Sequence, residues 1–303
     1  MIPLDLSGKT ALVTGVGDNV GFAWHIAKTL QAAGARLLFA VHPRLMKIVE
    51  TILNSDQADD VASRVLPFGA GSLTVEKLLA CDVEHDTMDD VPEEKKGDRR
   101  FAKHGDYSIH GLFEGVKAVT PTLDILIHSI AFSSEIKNAQ VDTSRKAYLQ
   151  ALSVSSFSLT ALLKAAQPLM ANRPEGAAAV SLTYIGGERV VGHYGGGMST
   201  AKSALQIDTM QLANNLGPKN IRVNCISAGP YASRAARAIG DIDQMIRYAA
   251  AVSPLKREIK ADDVGNAAAF LCSPLASSIT GEVMFVDSGY NIIGVPPADL
   301  RLG

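Results

Sequence analysis

The feature that most constrains the fold is a regular alternation of short apolar runs with amphipathic segments. Six runs have the length of strands, and a weaker seventh lies at 78–81; the six are 10–14, 35–41, 123–128, 178–183, 221–226 and 283–286. Runs that are apolar throughout are typical of parallel strands covered on both faces. The segments between them have helical spacing. The alternation therefore predicts an α/β fold with a doubly wound, Rossmann-type parallel sheet.

The same pattern runs along the chain without an internal repeat or a linker, so we expect residues 1–303 to form a single domain. The segment at about 84–105 departs from it, because acidic and basic residues crowd there around Pro92 and Gly97 without a clear period. We interpret this segment as an irregular, solvated insertion on the surface of the domain.

The charge balance restricts the class of partner. The formal net charge is −2, with 20% charged residues, which argues against nucleic acid or an anionic membrane and favours a small molecule. No apolar run approaches the ~18 residues that a membrane span requires. The three cysteines form no CxxC pair, which favours a reducing compartment.

A glycine-rich turn joins the first predicted strand to the first predicted helix. It contains Gly15, Gly17 and Gly21. Glycines permit a tight turn and a close approach of backbone amides to a pyrophosphate, and a helix N-terminus attracts anions. Because the turn lies where a dinucleotide-binding fold needs it, the sequence predicts phosphate binding at Gly15 and Gly21, with no metal required.

The ends of the second and third predicted strands define the adenosine side of this site. The second strand is followed by His42 and Arg44 rather than by an acidic residue that would bind the ribose hydroxyls. Arg44 is either a ligand for a 2′-phosphate or a solvated residue, so the choice between NADH and NADPH stays open. Asp82 and Val83 either hold the adenine or belong to a capped turn.

Small residues follow the strand at 123–128, at the edge where open α/β sheets bind ligands. Ser129, Ile130 and Ala131 leave room for a cofactor to lie against the backbone. We interpret His128, just before them, as a hydrogen-bonded structural residue rather than a catalyst.

The strand at 178–183 leads to candidate catalytic residues at the same edge. Tyr184 follows it directly, and Tyr194 precedes a run of glycines and a helix that contains Lys202. A phenol hydrogen-bonds a substrate carbonyl and stabilises the oxyanion that forms on hydride attack. A nearby ammonium binds ribose hydroxyls and polarises the phenol. Together these residues predict a nicotinamide-dependent reductase.

The spacing of these residues narrows the family. Short-chain dehydrogenases/reductases commonly have a tyrosine four residues before the lysine, where this chain has Met198. Here the tyrosine comes eight residues before, which resembles the enoyl-(acyl-carrier-protein) reductases of type II fatty acid synthesis, in their plant-plastid, apicomplexan and chlamydial branch. Similar blocks and the charged insertion extend the resemblance over almost the whole chain; the blocks are 142–148, 181–184, 226–230, 233–236, 273–277 and 286–287.

The resemblance implies NADH-dependent reduction of the trans-2 double bond of an enoyl thioester carried on acyl carrier protein. It implies that Tyr194 hydrogen-bonds the thioester carbonyl, that Lys202 holds the nicotinamide ribose, and that Tyr184 lines the pocket. It also implies cofactor contacts at Phe22, His42, Ala228, Gly229 and Pro230. A homotetramer is implied as well, located in a plastid if a transit peptide has been removed and otherwise in the bacterial cytoplasm.

Several positions depart from the family pattern. His42 stands where the family has a tryptophan against the adenine, which suggests weaker adenine binding, and Gly192-His193 replaces a Pro-Gly pair. Two alternatives to the enoyl reductase are another short-chain reductase acting on a 3-oxoacyl group, which Met198 disfavours, and a non-catalytic dinucleotide-binding protein.

Overall fold

The computed structural model describes residues 4–192, 194–234, 236–238 and 241–295, so His193 and Ala235 lie outside the described residues. Its strands are β1 Thr10–Thr14, β2 Arg36–Val41, β3 Lys77–Ala80, β4 Ile125–His128, β5 Ala177–Thr183, β6 Ile221–Ala228 and β7 Val283–Val286. They form one parallel sheet in the order β3-β2-β1-β4-β5-β6-β7. The predicted doubly wound α/β fold is confirmed, and the predicted strand bounds are shifted by two residues at most.

Helices cover both faces of the sheet. They are α1 Phe22–Ala32, α2 Met46–Asn54, α3 Ala58–Arg64, α4 Glu93–Gly97, α5 Arg99–Ala102, α6 Ile109–Lys117, α7 Arg145–Leu152, α8 Ser158–Met170, α9 Met198–Leu216, α10 Ile242–Val252 and α11 Ala261–Cys272. Successive strand residues alternate between the two faces. Val13 therefore packs into the core beneath α1 and α11, whereas Leu12 packs into the core beneath α6, α8 and α9.

The helical segment between β4 and β5 contains an irregularity. A π-helical turn, Ser153–Phe157, separates α7 from α8. The continuous helical stretch Arg145–Met170 is 26 residues long, with a mean hydropathy of 1.2 over its best window, and so passes a membrane-span test on length and composition. This window is not an uninterrupted apolar run, and 56% of it is buried inside the protein.

The charged segment at 84–105 is more ordered than the sequence suggested. It contains α4 and α5, and Phe101 at the centre of α5 is only 1% exposed. Phe101 packs with Val91 and Tyr107 in a small separate core. The prediction of an irregular and solvated insertion was wrong in this respect, because these apolar residues are too widely spaced to reveal a period.

Candidate active site

The turn after β1 and the segment after β4 meet at the carboxyl edge of the sheet. β1 and β4 are paired, with Thr14 opposite His128, so Gly15 lies beside Ser129. Gly15 has φ +77°, and a Cβ there would lie 2.0 Å from the Ser129 carbonyl oxygen and 3.2 Å from Ile130 Cγ1. Only glycine fits this position. The structure thus brings together two of the predicted cofactor walls.

The N-terminus of α1 supplies free backbone amides at the same edge. Asp18 Oδ1 accepts hydrogen bonds from the amides of Val20 and Gly21 at 3.1 and 2.8 Å, which orders the turn. Gly21 is the N-cap and provides no side-chain cap for the helix. Among the described residues, the amides of Phe22 and Ala23 have no acceptor, and such amides with the helix dipole attract an anion.

The two candidate catalytic tyrosines pack against each other. The Tyr184 and Tyr194 ring centroids lie 5.2 Å apart, with an interplanar angle of 70°. Both rings cover Gly186, where a Cβ would lie 2.7 Å from Tyr194 Cδ1 and 3.1 Å from Tyr184 Cδ1. Burial, reinforced by the neighbouring Tyr184, raises the pKa of the Tyr194 phenol far above its usual value. Tyr194 is therefore a neutral hydrogen-bond donor at neutral pH.

Lys202 lies on the buried side of α9, close to the end of β5. Its Nζ donates a hydrogen bond to the Leu182 carbonyl oxygen at 2.7 Å, and the residue is 5% exposed. Burial lowers the pKa of the Lys202 ammonium to about 8. Among the described residues, the Leu182 carbonyl oxygen is the one hydrogen-bond acceptor of this ammonium group. The other N–H groups of Lys202 are therefore available to the hydroxyls of a ligand.

The unusual spacing between Tyr194 and Lys202 has a structural reason. Met198 begins α9, is 2% exposed, and packs with Tyr194 in a small apolar cluster. A tyrosine ring at this position would replace part of that packing. The intervening glycines pass close to another loop, since a Cβ at Gly195 would lie 1.8 Å from the Asn138 carbonyl oxygen.

The end of β6 forms the remaining wall. Ala228 is 5% exposed, and the Gly229 amide donates to the Val286 carbonyl oxygen at 2.9 Å. Tyr231, just after Pro230, packs its ring 5.0 Å from that of Phe22 and so joins this wall to the start of α1. The predicted residues at the ends of β1, β4, β5 and β6 therefore share one edge.

The adenosine side contains a network that links β2, β3 and the insertion. Asp82 Oδ2 lies 2.8 Å from Lys95 Nζ and 3.6 Å from His42 Nε2. Burial alone would raise the pKa of the Asp82 carboxyl, but the nearby His42 imidazole and the hydrogen-bonded Lys95 ammonium hold it well below its usual range. Asp82 Oδ1 also accepts from the Glu84 amide, so the residue caps a turn as well. Val83, which follows it, is half-buried.

Comparisons with known proteins agree on one family. A family model described as enoyl-(acyl carrier protein) reductase matches residues 104–291. The chain is 47% identical over 295 residues to a chloroplastic enoyl-(acyl-carrier-protein) reductase (NADH) of Arabidopsis thaliana, covering 97% of this chain and 74% of that protein. This chain belongs to the enoyl-(acyl carrier protein) reductase family. The resemblance inferred from the sequence is therefore confirmed.

Other members of the reductase family resemble this chain over their full lengths. The Synechocystis enoyl-(acyl-carrier-protein) reductase (NADH) is 38% identical over 96% of this chain and 100% of that protein. A crystal structure of the Plasmodium berghei enoyl-acyl-carrier-protein reductase with triclosan has a TM-score of 0.89 at 37% identity, covering 96% of this chain and 100% of that one. A reductase from Anaplasma phagocytophilum, in complex with NAD, has a TM-score of 0.78 at 31% identity, covering 98% and 99%.

Within the reductase, the acidic cluster on the adenosine side already contains a cation. Asp82, Glu84 and His85 place ligand atoms within 4.8 Å of one another, as a metal site would. However, Lys95 Nζ lies 2.8, 3.1 and 3.0 Å from their side-chain atoms. The ammonium group occupies the position of a metal ion and offsets one of the two carboxylate charges.

The π-helical turn of the reductase holds two parts of the site in place, which the sequence did not reveal. Ser155 Oγ accepts from the Phe132 amide at 2.9 Å and donates to the Phe132 carbonyl oxygen at 3.1 Å. Ser156 Oγ donates to Asp208 Oδ2 on α9 at 2.6 Å. The turn therefore fixes both the segment after β4 and the helix that carries Lys202. The sequence did not reveal this turn because one extra residue in an otherwise helical segment leaves no recognisable change in the pattern of apolar residues.

His128 agrees with its structural interpretation. Its Nε2 lies 2.7 Å from Ser158 Oγ, and the residue is fully buried. Burial, assisted by the charge of Lys202, lowers the pKa of the His128 imidazole to about 3. The ring is therefore neutral and supports the end of β4.

Proposed function

We propose that this protein is an NADH-dependent enoyl-(acyl-carrier-protein) reductase that reduces the trans-2 double bond of an enoyl thioester. The observation that carries the proposal is the pairing of a buried, neutral Tyr194 with a buried Lys202 eight residues later in a member of this family. The relatives from Arabidopsis and Synechocystis are both enoyl-(acyl-carrier-protein) reductases (NADH).

The residues along the sheet edge suit a dinucleotide. The unpaired amides at the start of α1 suit the pyrophosphate, and the N–H groups of Lys202 suit the nicotinamide ribose. Bound NADH would supply a hydride for the β-carbon of the enoyl thioester. Gly15, which leaves no side chain in the turn, keeps the backbone accessible to such a ligand.

The role of Tyr194 follows from its protonation state. When hydride adds to the β-carbon, the double bond shifts and negative charge develops on the thioester oxygen. A neutral phenol donates a hydrogen bond to this oxygen, and the interaction is strengthened because Tyr194 is buried. A proton taken up from solvent then adds to the α-carbon, the enolate carbonyl re-forms, and the saturated thioester is complete. Lys202 adds positive charge nearby, while Tyr184 packs against the Tyr194 ring and restricts its orientation.

The proposal is tested by following NADH absorbance with crotonyl-coenzyme A and, separately, with acetoacetyl-coenzyme A. We expect oxidation with the enoyl substrate only, and a loss of at least a hundredfold in kcat/KM for Tyr194→Phe. Tyr148→Phe, a half-buried tyrosine on α7, is the matched control and should retain activity. Oxidation with acetoacetyl-coenzyme A would instead identify a 3-oxoacyl reductase. NADH binding without turnover of either substrate would identify a binding protein.

We propose a homotetramer, because adjoining helices expose an apolar face. The exposed side chains are Leu149, Phe157, Ile207 and Met210 on α7, the π-turn and α9, each about half exposed. A second copy of the chain would bury this face. Light scattering after gel filtration should give four times the 32.0-kDa chain mass. Ile207→Glu with Met210→Glu should lower that mass, and an unchanged monomer in both proteins would refute the proposal.

The acyl group is proposed to arrive on acyl carrier protein, in a plastid stroma or in the bacterial cytoplasm. The Arabidopsis relative is chloroplastic and the Synechocystis relative is bacterial. No nucleic acid or membrane is proposed as a partner, since the net charge is −2 and most of the apolar helical window is buried. A lower KM for crotonyl-carrier than for crotonyl-coenzyme A would support carrier recognition, and equal values would oppose it.

A further inference from the structure

Three acceptors hold the ammonium group of Lys95 on the adenosine side of the site. Its Nζ lies 2.8 Å from Asp82 Oδ2, 3.1 Å from Glu84 Oε2 and 3.0 Å from His85 Nε2. A lysine ammonium has three N–H groups, so each acceptor takes one of them. Lys95 therefore has no N–H group left for a ligand, and its effect on a bound ligand must pass through these three partners.

The insertion holds Lys95 in this position. Lys95 is on α4, and its Nζ lies 5.6 Å from the centre of the buried Phe101 ring. Val91, just before α4, packs in the same small core as Phe101. An ammonium that lies over an aromatic ring and makes three hydrogen bonds has few alternative positions. The charge thus reaches Asp82 from a segment whose core is separate from the two large ones.

The two oxygens of Asp82 differ in their contacts. Oδ2 accepts from Lys95 and lies 3.6 Å from His42 Nε2, whereas Oδ1 accepts from the Glu84 amide at 3.2 Å. A carboxylate oxygen can accept two hydrogen bonds, so Oδ1 has one position left. Within the described part of the chain, the amide of the next residue, Val83, has no acceptor. The segment after β3 therefore offers one acceptor and one donor on adjacent residues.

This acceptor and donor match one edge of an adenine base. Adenine has an amino group that donates beside a ring nitrogen that accepts, whereas hypoxanthine has an oxygen that accepts beside a ring N–H that donates. An ionised carboxylate only accepts, so it binds the amino group and repels the oxygen. Burial alone would raise the pKa of the Asp82 carboxyl, but Lys95 helps to hold it well below its usual range. Asp82 is therefore ionised at neutral pH while Lys95 is in place.

We propose that Lys95 is a positioning residue that makes this reductase selective for the adenine base of its cofactor. It acts through Asp82, whose Oδ2 it holds so that Oδ1 faces the adenine amino group. The inference rests on the proposed function, because it assigns base recognition to the cofactor site of the same enzyme. Without Lys95, the charges of Asp82 and Glu84 would repel each other without compensation, and protonation or rotation of Asp82 would remove the acceptor.

The first test measures nucleotide binding without catalysis. Isothermal titration calorimetry compares adenosine 5′-monophosphate with inosine 5′-monophosphate, which has hypoxanthine in place of adenine. The unmodified protein should bind the adenosine nucleotide at least tenfold more tightly, as expected for a paired hydrogen-bond contact with a base. Lys95→Met should reduce this preference to within about twofold, and Lys95→Arg, which keeps the charge, should restore most of it. Lys96→Met is the matched control and should keep the preference, because Lys96 pairs with the exposed Glu93.

A double variant separates positioning from a general loss of structure. Asp82→Asn removes the carboxylate, and Asp82→Asn with Lys95→Met removes both charges and leaves Glu84 paired with Gln150 at 2.9 Å. If Lys95 acts through Asp82, these two proteins should have the same nucleotide preference within about twofold. A larger difference would overturn the role of Lys95, even where Lys95→Met alone fails to fold. An unchanged preference in folded Lys95→Met would overturn it as well.

The second test separates this inference from the proposed function. With crotonyl-coenzyme A, Lys95→Met should raise the KM for NADH at least tenfold and leave kcat within about twofold, because the contact lies far from the reacting atoms. The KM for reduced nicotinamide hypoxanthine dinucleotide should change less than twofold. Turnover of NADH together with equal binding of the two nucleotides by the unmodified protein would overturn base recognition and leave the reductase assignment intact. A nucleotide preference that depends on Lys95, without turnover of either cofactor, would overturn the reductase assignment alone.

Discussion

Replacing Lys202 by methionine should abolish activity and yet stabilise the folded protein. Lys202 is almost completely buried, and its ammonium has one acceptor, the Leu182 carbonyl oxygen at 2.7 Å, among the described residues. A buried charge with so few partners costs free energy in the folded state. Methionine has a similar length and no charge, so Lys202→Met removes this cost together with the hydrogen bonds offered to the cofactor and the positive charge near the substrate.

The size of the effect follows from the pKa. Burial lowers the pKa of Lys202 from 10.5 to about 8. At about 1.4 kcal/mol for each pKa unit, this lowering of the Lys202 pKa destabilises the folded protein by about 3 kcal/mol at pH 7. Loss of the hydrogen bond to Leu182 offsets about 1 kcal/mol. The free energy of unfolding of Lys202→Met should therefore exceed that of the unmodified protein by about 2 kcal/mol at pH 7.

The sign of the pH dependence provides the check. Between pH 8 and 10.5 the unfolded chain binds the proton that folded Lys202 releases, so the stability of the unmodified protein rises with pH through this window. In urea unfolding of the cofactor-free proteins, the free energy of unfolding of Lys202→Met should exceed that of the unmodified protein at pH 7. This difference should disappear by pH 10. Lys164→Met, an exposed lysine on α8, should change stability by less than about 0.5 kcal/mol at either pH. A variant that is destabilised at pH 7, or whose difference is independent of pH, would refute the reasoning.

Four further predictions follow from the site. Because the charged form of Lys202 is needed, kcat/KM should fall about tenfold for each pH unit above pH 8, and a flat profile up to pH 10 would contradict this. Gly186→Ala should lower kcat/KM at least tenfold by displacing both tyrosine rings, whereas Gly192→Ala, which meets nothing within 4 Å, should not. Ser155→Ala should raise the KM for NADH and cost about 1–3 kcal/mol of stability because both Phe132 backbone groups lose their partner, unlike Ser153→Ala in the same turn. His42→Trp should lower the KM for NADH through a larger stacking surface, and an unchanged KM would show that adenine does not stack there.

Much of the sheet was predictable because each strand can be recognised from its own short run of residues. Strands covered on both faces must be apolar throughout, and right-handed crossovers limit the orders in which they pair. The meeting of Gly15 with Ser129 follows from these rules, since the ends of adjacent parallel strands share one edge. Tyr194 and Lys202 could be named as candidates from the sequence, because both lie within nine consecutive residues.

The adenosine side could not be predicted in the same way, because its contacts join distant segments. Lys95 reaches Asp82 across 13 positions, and Phe101 meets Arg44 across 57. Neither pair has a period or a motif, and the charge of 84–105 suggested a solvated surface instead of a small core. The Ser155 contact to Phe132 likewise depends on a π-turn whose extra residue changes no apolar pattern.

This contrast indicates that the two ends of the candidate site can be changed independently of each other. The candidate catalytic end is built from one strand end and the first turn of α9, so a change there disturbs the apolar cluster of Met198 and Tyr194. The adenosine end is assembled from β2, β3 and the insertion, whose small core is separate from the two large ones. A substitution such as His42→Trp is therefore expected to alter contacts on the adenosine side without repacking Tyr194 and Met198. On this reasoning His42→Trp should change the KM for NADH and leave kcat with the enoyl substrate unchanged.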